Sequence, residues 1–225
     1  MKILLLCDDE WHPGKVPEDG IAFLREKGYT VDCVYDTANF DGAVLADYNA
    51  VILCKDDHCT RENLTSWKTP QVQAAFVAYV ENGGGLIVSH SGACAGEATQ
   101  AMDNLAGCKF VWHPNMSRAT VAPVKPHPVT DGVKLFSVSD EHYYMEITAD
   151  DIEVLAASYA SAQGVPEKYE SEPYFNYPEN IQPCVLVRAQ GKGRVCVLTP
   201  GHIPEVWANV EFQRLLGNAL LWVKK

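Results

Sequence analysis

The chain reads as a three-layer α/β/α domain built on a central, mainly parallel sheet with antiparallel additions. Three observations predict this. Leu86-Ile87-Val88 and Val195 to Leu198 are unbroken apolar runs, as expected of strands covered on both faces. Such runs alternate with helix-period segments through the first half, which points to parallel strands joined by right-handed crossovers. The 225 residues, 47% of them hydrophobic, suffice for one domain with a sizeable core. No repeat, low-complexity tract or linker divides residues 1–225, so a single α/β domain is expected.

Lys2 to Cys7 is predicted as the first strand, and Asp8-Asp9-Glu10-Trp11-His12-Pro13-Gly14 as the loop at its carboxyl end. Pro17 to Lys27 carries Ile21, Phe23 and Leu24 on a helical period and is stopped by Gly28. Tyr29 to Tyr35 alternates as a strand. Ala50 to Cys54 is a third strand, followed by the polar loop Lys55-Asp56-Asp57-His58. Pro70 to Asn82 is a helix with Pro in its first turn. The strand Leu86 to Val88 enters between glycines and ends at Ser89-His90. Ala98 to Leu105 reads as a short helix.

The second half is less regular. Val111-Trp112-His113-Pro114 opens it, and Ser117 to Val124 reads as a strand. Lys125 to Gly132 is a turn with prolines on both sides of His127. Ser139-Asp140-Glu141-His142-Tyr143-Tyr144 leads into Met145 to Ile147. Ile152 to Ala157, Cys184 to Arg188 and Val195 to Leu198 are strands. Between the first two, Ser161 to Pro183 has the length and composition of a lid or insertion. Val210 to Val223 is an amphipathic terminal helix.

Charge and composition exclude some functions. A formal net charge of -11 argues against nucleic acid and against an anionic membrane surface as partner. No apolar run approaches the about 20 residues that span a bilayer. Lys2 to Cys7 is too short for a signal peptide and carboxylates follow at once, so a cytoplasmic setting is expected. The eight cysteines are scattered, without a Cys-x-x-Cys pair, and read as small hydrophobes rather than a disulfide framework.

The chemistry-bearing residues gather at strand ends. His12, His90 and His202 each follow a predicted strand, and the carboxyl ends of parallel strands open on one ligand crevice. Asp140 and Glu141 add carboxylates within an aromatic-rich stretch. Histidine moves protons near neutral pH and is also a common metal ligand. His90, Glu141 and His202 are therefore the candidate catalytic residues, with Glu141 or a histidine as general base. Trp11, His12, Asp140 and Tyr143 are the candidate substrate-binding residues, and His113, which precedes a proline, is either a rigid turn residue or a further member of the site. Three histidines and a carboxylate would suit a divalent metal, zinc or manganese. A lone histidine at a strand end is more often structural, and aromatic residues at these places serve core packing equally well. His127 reads as a rigid turn residue, and His58 and His142 as exposed.

A cysteine-based alternative exists. Gly92-Ala93-Cys94-Ala95-Gly96 has the form of a cysteine nucleophile elbow, and Cys94, His202 and Glu205 could make an amidotransferase or hydrolase triad. An elbow nucleophile follows its strand directly. Cys94 lies four residues beyond His90, so position gives that place to His90 or Ser91. A third alternative is a non-catalytic binding or assembly subunit that keeps the crevice.

The segments GGGLIVSH, KPHPVTDGV, SDEHYYMEI and GKGRVCVLTPGHIPEVW, with the terminal FQRLLGNALLWV helix, together resemble the ThuA-like (trehalose utilisation) family over nearly the whole chain. The resemblance implies a flavodoxin-like sheet of the class I glutamine amidotransferase-like type that has lost the amidotransferase cysteine. It implies a role in sugar catabolism around trehalose, glucosides and their 3-keto derivatives, by a sugar isomerase, lyase or hydrolase if the chain is an enzyme. The implied partner is a small-molecule sugar, and a homo-oligomer is compatible with the reading. The family's pocket residues fall on His90, His113, Asp140, Glu141, Tyr143 and His202. The chain departs from the family at Asp8-Asp9-Glu10, which should make the entrance unusually acidic.

Overall fold

The computed structural model describes residues 1–94, 96, 99–161 and 180–224. Its parallel half is built from β1 (Lys2–Cys7), β2 (Thr30–Val34), β3 (Ala50–Cys54) and β4 (Gly85–Ser89), joined by β11 (Gly193–Leu198) from near the end of the chain. The antiparallel half is β10 (Ile181–Gln190), β9 (Glu153–Tyr159), β6 (Ser117–Pro123) and β7 (Phe136–Asp140). Together they form one nine-stranded sheet in the order β2-β1-β3-β4-β11-β10-β9-β6-β7. The first five strands in that order follow the flavodoxin-type sequence of a doubly wound sheet. β5 (Cys108–Trp112) and β8 (Tyr144–Ile147) pair separately as an antiparallel ribbon.

Helices cover both faces because successive strand residues point to opposite sides. Ile3, Leu5 and Cys7 of β1 face a core shared with α1 (Lys15–Gly20), α2 (Ala22–Glu26), α5 (Pro204–Ala208) and α6 (Val210–Val223). Leu4 and Leu6 of the same strand face a second core with α3 (Pro70–Glu81) and α4 (Gln100–Ala106). β1, β3 and β4 bury both faces, which explains their unbroken apolar sequences. The three-layer α/β/α architecture with antiparallel additions is thus observed.

Some boundaries differ from expectation. The helix predicted over 17–27 is two short ones, broken where Ile21 leaves helical geometry. β7 is an additional strand. Its residues Phe136-Ser-Val-Ser-Asp140 alternate buried and half-buried, the mark of a sheet edge rather than of a two-sided strand. The expected insertion at 161–183 falls mostly on residues 162–179, outside the described residues. Among the described residues no helix is long and apolar enough to cross a membrane. All eight cysteines are free.

Candidate functional site

In the parallel half the strands end in one row. Cys7 lies beside Cys54, Leu53 beside Val88, and Ser89 beside Leu198. The loops that follow carry His12, Asp56, His90 and His202 to a common edge. Glu141 arrives from the other half, directly after β7.

His90 starts a tight 3-10 turn after β4, with φ of 46° in the left-handed region that most residues avoid. This is the sharp strand-to-helix elbow where a nucleophile stands in other α/β folds. Here an imidazole occupies it. Gly92 makes the turn possible, because a Cβ there would lie 2.1 Å from the Leu53 carbonyl oxygen. Gly201 lets the following loop approach, since its Cβ would meet that of His90 at 2.9 Å. His90 is only 1% exposed. Its Nδ1 lies 2.8 Å from the Thr199 carbonyl, so that nitrogen carries the proton and Nε2 turns inward with its lone pair.

Around that nitrogen the cluster closes. Glu141 Oε2 and His202 Nδ1 are each 3.3 Å from His90 Nε2 and 3.3 Å from one another. His113 Nε2 is 3.6 Å from Glu141 Oε1. The Tyr143 ring stacks on His90 at 4.4 Å between centroids, with its hydroxyl 3.1 Å from Nε2. His12 packs edge-on against His90 and His202, at 4.9 and 5.0 Å between ring centres. Ligand-type atoms of His12, His90, Glu141 and His202 all lie within 4.8 Å of one another, so these four residues could hold a metal ion.

Electrostatics follow from this packing. Burial alone would raise the Glu141 carboxyl, but the hydrogen bond from His202 and the charge that the surrounding imidazoles take up as pH falls outweigh it and hold it well below the usual range. The Glu141 hydrogen bond in turn raises His202, against the effect of its burial. Burial pushes the Tyr143 phenol up, so it stays a hydroxyl donor.

Above the cluster is a pocket of about 610 Å³, lined by Trp11, His12, Asp56, Cys94, Phe110, His113, Glu141, Tyr143 and His202. This size suits a small-molecule ligand. Trp11 stands at it 65% exposed. Of the residues expected to bind substrate, Trp11, His12, His113 and Tyr143 line the pocket. Asp140 does not. It is buried, and its carboxylate accepts the backbone N–H groups of Gly201 at 2.9 Å and His202 at 3.1 Å. Burial raises its carboxyl, while His90 and those N–H groups act the other way. Asp140 therefore shapes the loop that presents His202.

The acidic loop also differs from expectation. Asp9 points inward, fully buried, and accepts N–H groups from Trp11, His12 and Asp56. It also takes His12 Nδ1 at 2.7 Å. Burial would raise this carboxyl, yet the His12 hydrogen bond and charge hold it down to about 2. Asp8 accepts the Gly14 N–H across the loop. The run of carboxylates therefore organises the loop more than it charges the entrance. The sequence signal was an Asp three residues before a His in a short loop, an arrangement suited to local side-chain to backbone hydrogen bonding.

Two other histidines correct or bear out their readings. His142 is buried, not exposed, with Nδ1 3.2 Å from Ser158 Oγ. His127 does act as a turn residue, accepting the Val129 N–H. Trp207 is core, with Nε1 donating to the Gly201 carbonyl at 2.7 Å.

The cysteine triad does not assemble. Cys94 Sγ lies 3.6 Å from the Tyr143 hydroxyl, and burial pushes its thiol up to about 12. Glu205 pairs with Arg118 at 3.1 Å on the surface, while His202 has Glu141 as its carboxylate.

The chain is similar to a ThuA-like protein from Bacteroides uniformis, with 22% identity, a TM-score of 0.71, and coverage of 99% of this chain and 90% of that one. A ThuA-like protein from Parabacteroides merdae shares 18% identity over 99% of this chain and 89% of that one, with a TM-score of 0.74. A cytoplasmic protein from Salmonella typhimurium shares 17% identity over the full length of both chains, with a TM-score of 0.68. At these identities the likeness concerns the fold. No curated protein matches the chain significantly. The family model ThuA, described as trehalose utilisation, matches residues 7–223, nearly the whole sequence. The chain therefore belongs to the ThuA family of trehalose-utilisation proteins, with a role in carbohydrate metabolism.

Proposed function

We propose that the chain binds an uncharged sugar in this pocket (trehalose, a glucoside or a 3-keto derivative) and processes it by proton transfer in the cytoplasm. The observation that carries the reading is the pocket lining, where imidazoles and the carboxylates of Asp56 and Glu141 converge with Trp11, Phe110 and Tyr143. Aromatic faces suit the apolar faces of sugar rings, and the imidazoles supply groups that move protons near neutral pH.

A 3-keto sugar has an acidic C–H beside its carbonyl. A base that removes that proton leaves an enolate whose oxygen needs positive charge or donors nearby. Glu141 is a poor base at neutral pH, because its carboxyl is held low and hydrogen-bonded by its neighbours. His113 suits the task better. Its Nδ1 donates to the Pro114 carbonyl at 2.8 Å, which leaves the Nε2 lone pair beside the pocket. His202, which the Glu141 carboxylate holds toward its protonated form, then steadies the enolate oxygen, with the Tyr143 hydroxyl as a further donor.

Trehalose, simple glucosides and their 3-keto forms should be screened by thermal shift, with product analysis by NMR in D₂O. A stabilising shift with deuterium entering beside the keto group is expected, and His113→Asn should keep the shift and lose the exchange. Binding without exchange or turnover would leave a sugar-binding subunit, and no shift with any sugar would overturn the proposal.

A further inference from the structure

We propose that His12, His90, His202 and Glu141 bind one divalent transition-metal ion, zinc in the first instance, at the floor of the pocket. The proposal concerns the same site as the sugar reading but stands whether or not a sugar is the ligand.

The first argument is proton bookkeeping. The Thr199 carbonyl fixes the proton of His90 on Nδ1, and the Asp9 carboxylate fixes that of His12 on Nδ1. Both rings therefore turn lone pairs, on Nε2, toward the cluster. His12 Nε2 is buried and has no hydrogen-bond partner among the described residues. Glu141 contributes a carboxylate, which only accepts. Acceptors thus face one another at short range at the pocket floor, and a positive species between them removes the conflict. A proton on His202 Nδ1 serves one direction at a time. The rotatable Tyr143 hydroxyl serves His90 Nε2 in the metal-free protein, and can turn to a ligand oxygen once a cation takes that nitrogen.

The second argument is geometric. His90 Nε2, His202 Nδ1 and Glu141 Oε2 form a triangle with every side 3.3 Å. Donors about 2.0–2.1 Å from a tetrahedral ion are separated by about 3.3–3.4 Å, so the triangle has the dimensions of one tetrahedral face. His12 Nε2 supplies a further donor within the same 4.8 Å cluster. His12, His202 and Glu141 line the pocket, so a ligand reaches the ion from that side.

The third argument is the support behind the donors. Metal-bound histidines characteristically give their second N–H to a carboxylate or a backbone carbonyl, which sets ring orientation and basicity. His12 does so to Asp9, and His90 to Thr199. His202 is held through its backbone by Asp140. Three imidazoles and a carboxylate are a donor set that zinc accepts readily and manganese also takes.

The test uses the full chain, stripped with a chelator and titrated with Zn²⁺ and separately with Mn²⁺ by calorimetry. Bound metal is then counted by elemental analysis. One ion per chain is expected. His202→Ala and Glu141→Gln should each weaken Zn²⁺ binding at least 100-fold. Asp9→Asn, which touches no ion, should weaken it about 10-fold or more. His127→Ala, remote from the cluster, should bind as the parent does. Co²⁺ in place of Zn²⁺ should give the visible absorption of a four- or five-coordinate ion, and His202→Ala should lose it. Less than a tenth of an equivalent of either metal overturns the proposal. So does parental affinity in folded His202→Ala and Glu141→Gln, with folding checked by circular dichroism. A chain that binds neutral sugars but no metal refutes only this proposal, and one that binds metal but no sugar refutes only the sugar reading.

Discussion

His90 shows how one residue can carry both strain and chemistry. A non-glycine side chain in the left-handed region costs about 1 kcal/mol or more, and such strain gathers at functional sites. Asn enters that region more readily than Ala. His90→Asn should therefore be more stable than His90→Ala by about 1 kcal/mol in urea unfolding, while both lose sugar processing. Equal stability would mean that the backbone relaxes once the imidazole is gone, and the strain would then belong to the side chain. His202 makes the complementary case. It is only half-buried and sits in an unstrained loop, so His202→Ala should unfold within about 1 kcal/mol of the parent and still lose function. A large loss of stability would make it structural. The strand-end histidines could be read from the chain because each follows an apolar run. Asp9 could not be read as a support for His12, because its burial depends on how the loop folds back over the sheet.

At the scale of elements, the strands buried on both faces were legible and the edge of the sheet was not. β1, β3 and the terminal helix α6 stand where their apolar patterns put them. β7 alternates with serines and was hidden by them, although it delivers both Asp140 and Glu141. His142 was misplaced for the same reason, since the sequence carries no trace of the pairing that buries it. The helix α4 offers a test of burial against charge. Burial raises its Asp103 to about 6 from 3.8, only partly offset by Lys68 and Lys109. The folded state therefore holds this proton more tightly than the unfolded chain. Between those two values the folded chain binds more protons, so stability falls as pH rises, and the penalty is complete above pH 6. Asp103→Asn should thus stabilise the protein by about 1–2 kcal/mol at pH 7.5, after allowance for partial exposure, and make no difference near pH 3.5. Chemical unfolding at the two pH values checks this. An equal effect at both would assign the change to helix propensity or packing.

For the whole molecule, the topology explains why residues so far apart in sequence share a site. His90 and His202 stand 112 positions apart, yet β4 and β11 are parallel neighbours with their ends in register. Glu141 reaches them only because the antiparallel half adds strands beyond β11 and then sends the chain back. The apolar patterns carry the first fact, and long-range pairing decides the second. The overall charge bears on the ligand in the same way. The chain carries a formal -11, and the described pocket lining has Asp56 and Glu141 but no Lys or Arg. Sites for phosphorylated ligands use Arg, Lys or a helix N-terminus to take the phosphate charge. A field of this sign lowers the local concentration of anions, and added salt screens it. Neutral sugars should therefore bind with an affinity that changes less than about twofold between 0.05 and 0.5 M NaCl. Their 6-phosphates should bind at least about tenfold more weakly at low salt, and the gap should narrow as salt rises. Titrations of metal-stripped protein keep phosphate coordination to an ion out of the comparison. Tighter binding of the phosphorylated sugar under those conditions would reverse the reading and move the substrate class to sugar phosphates.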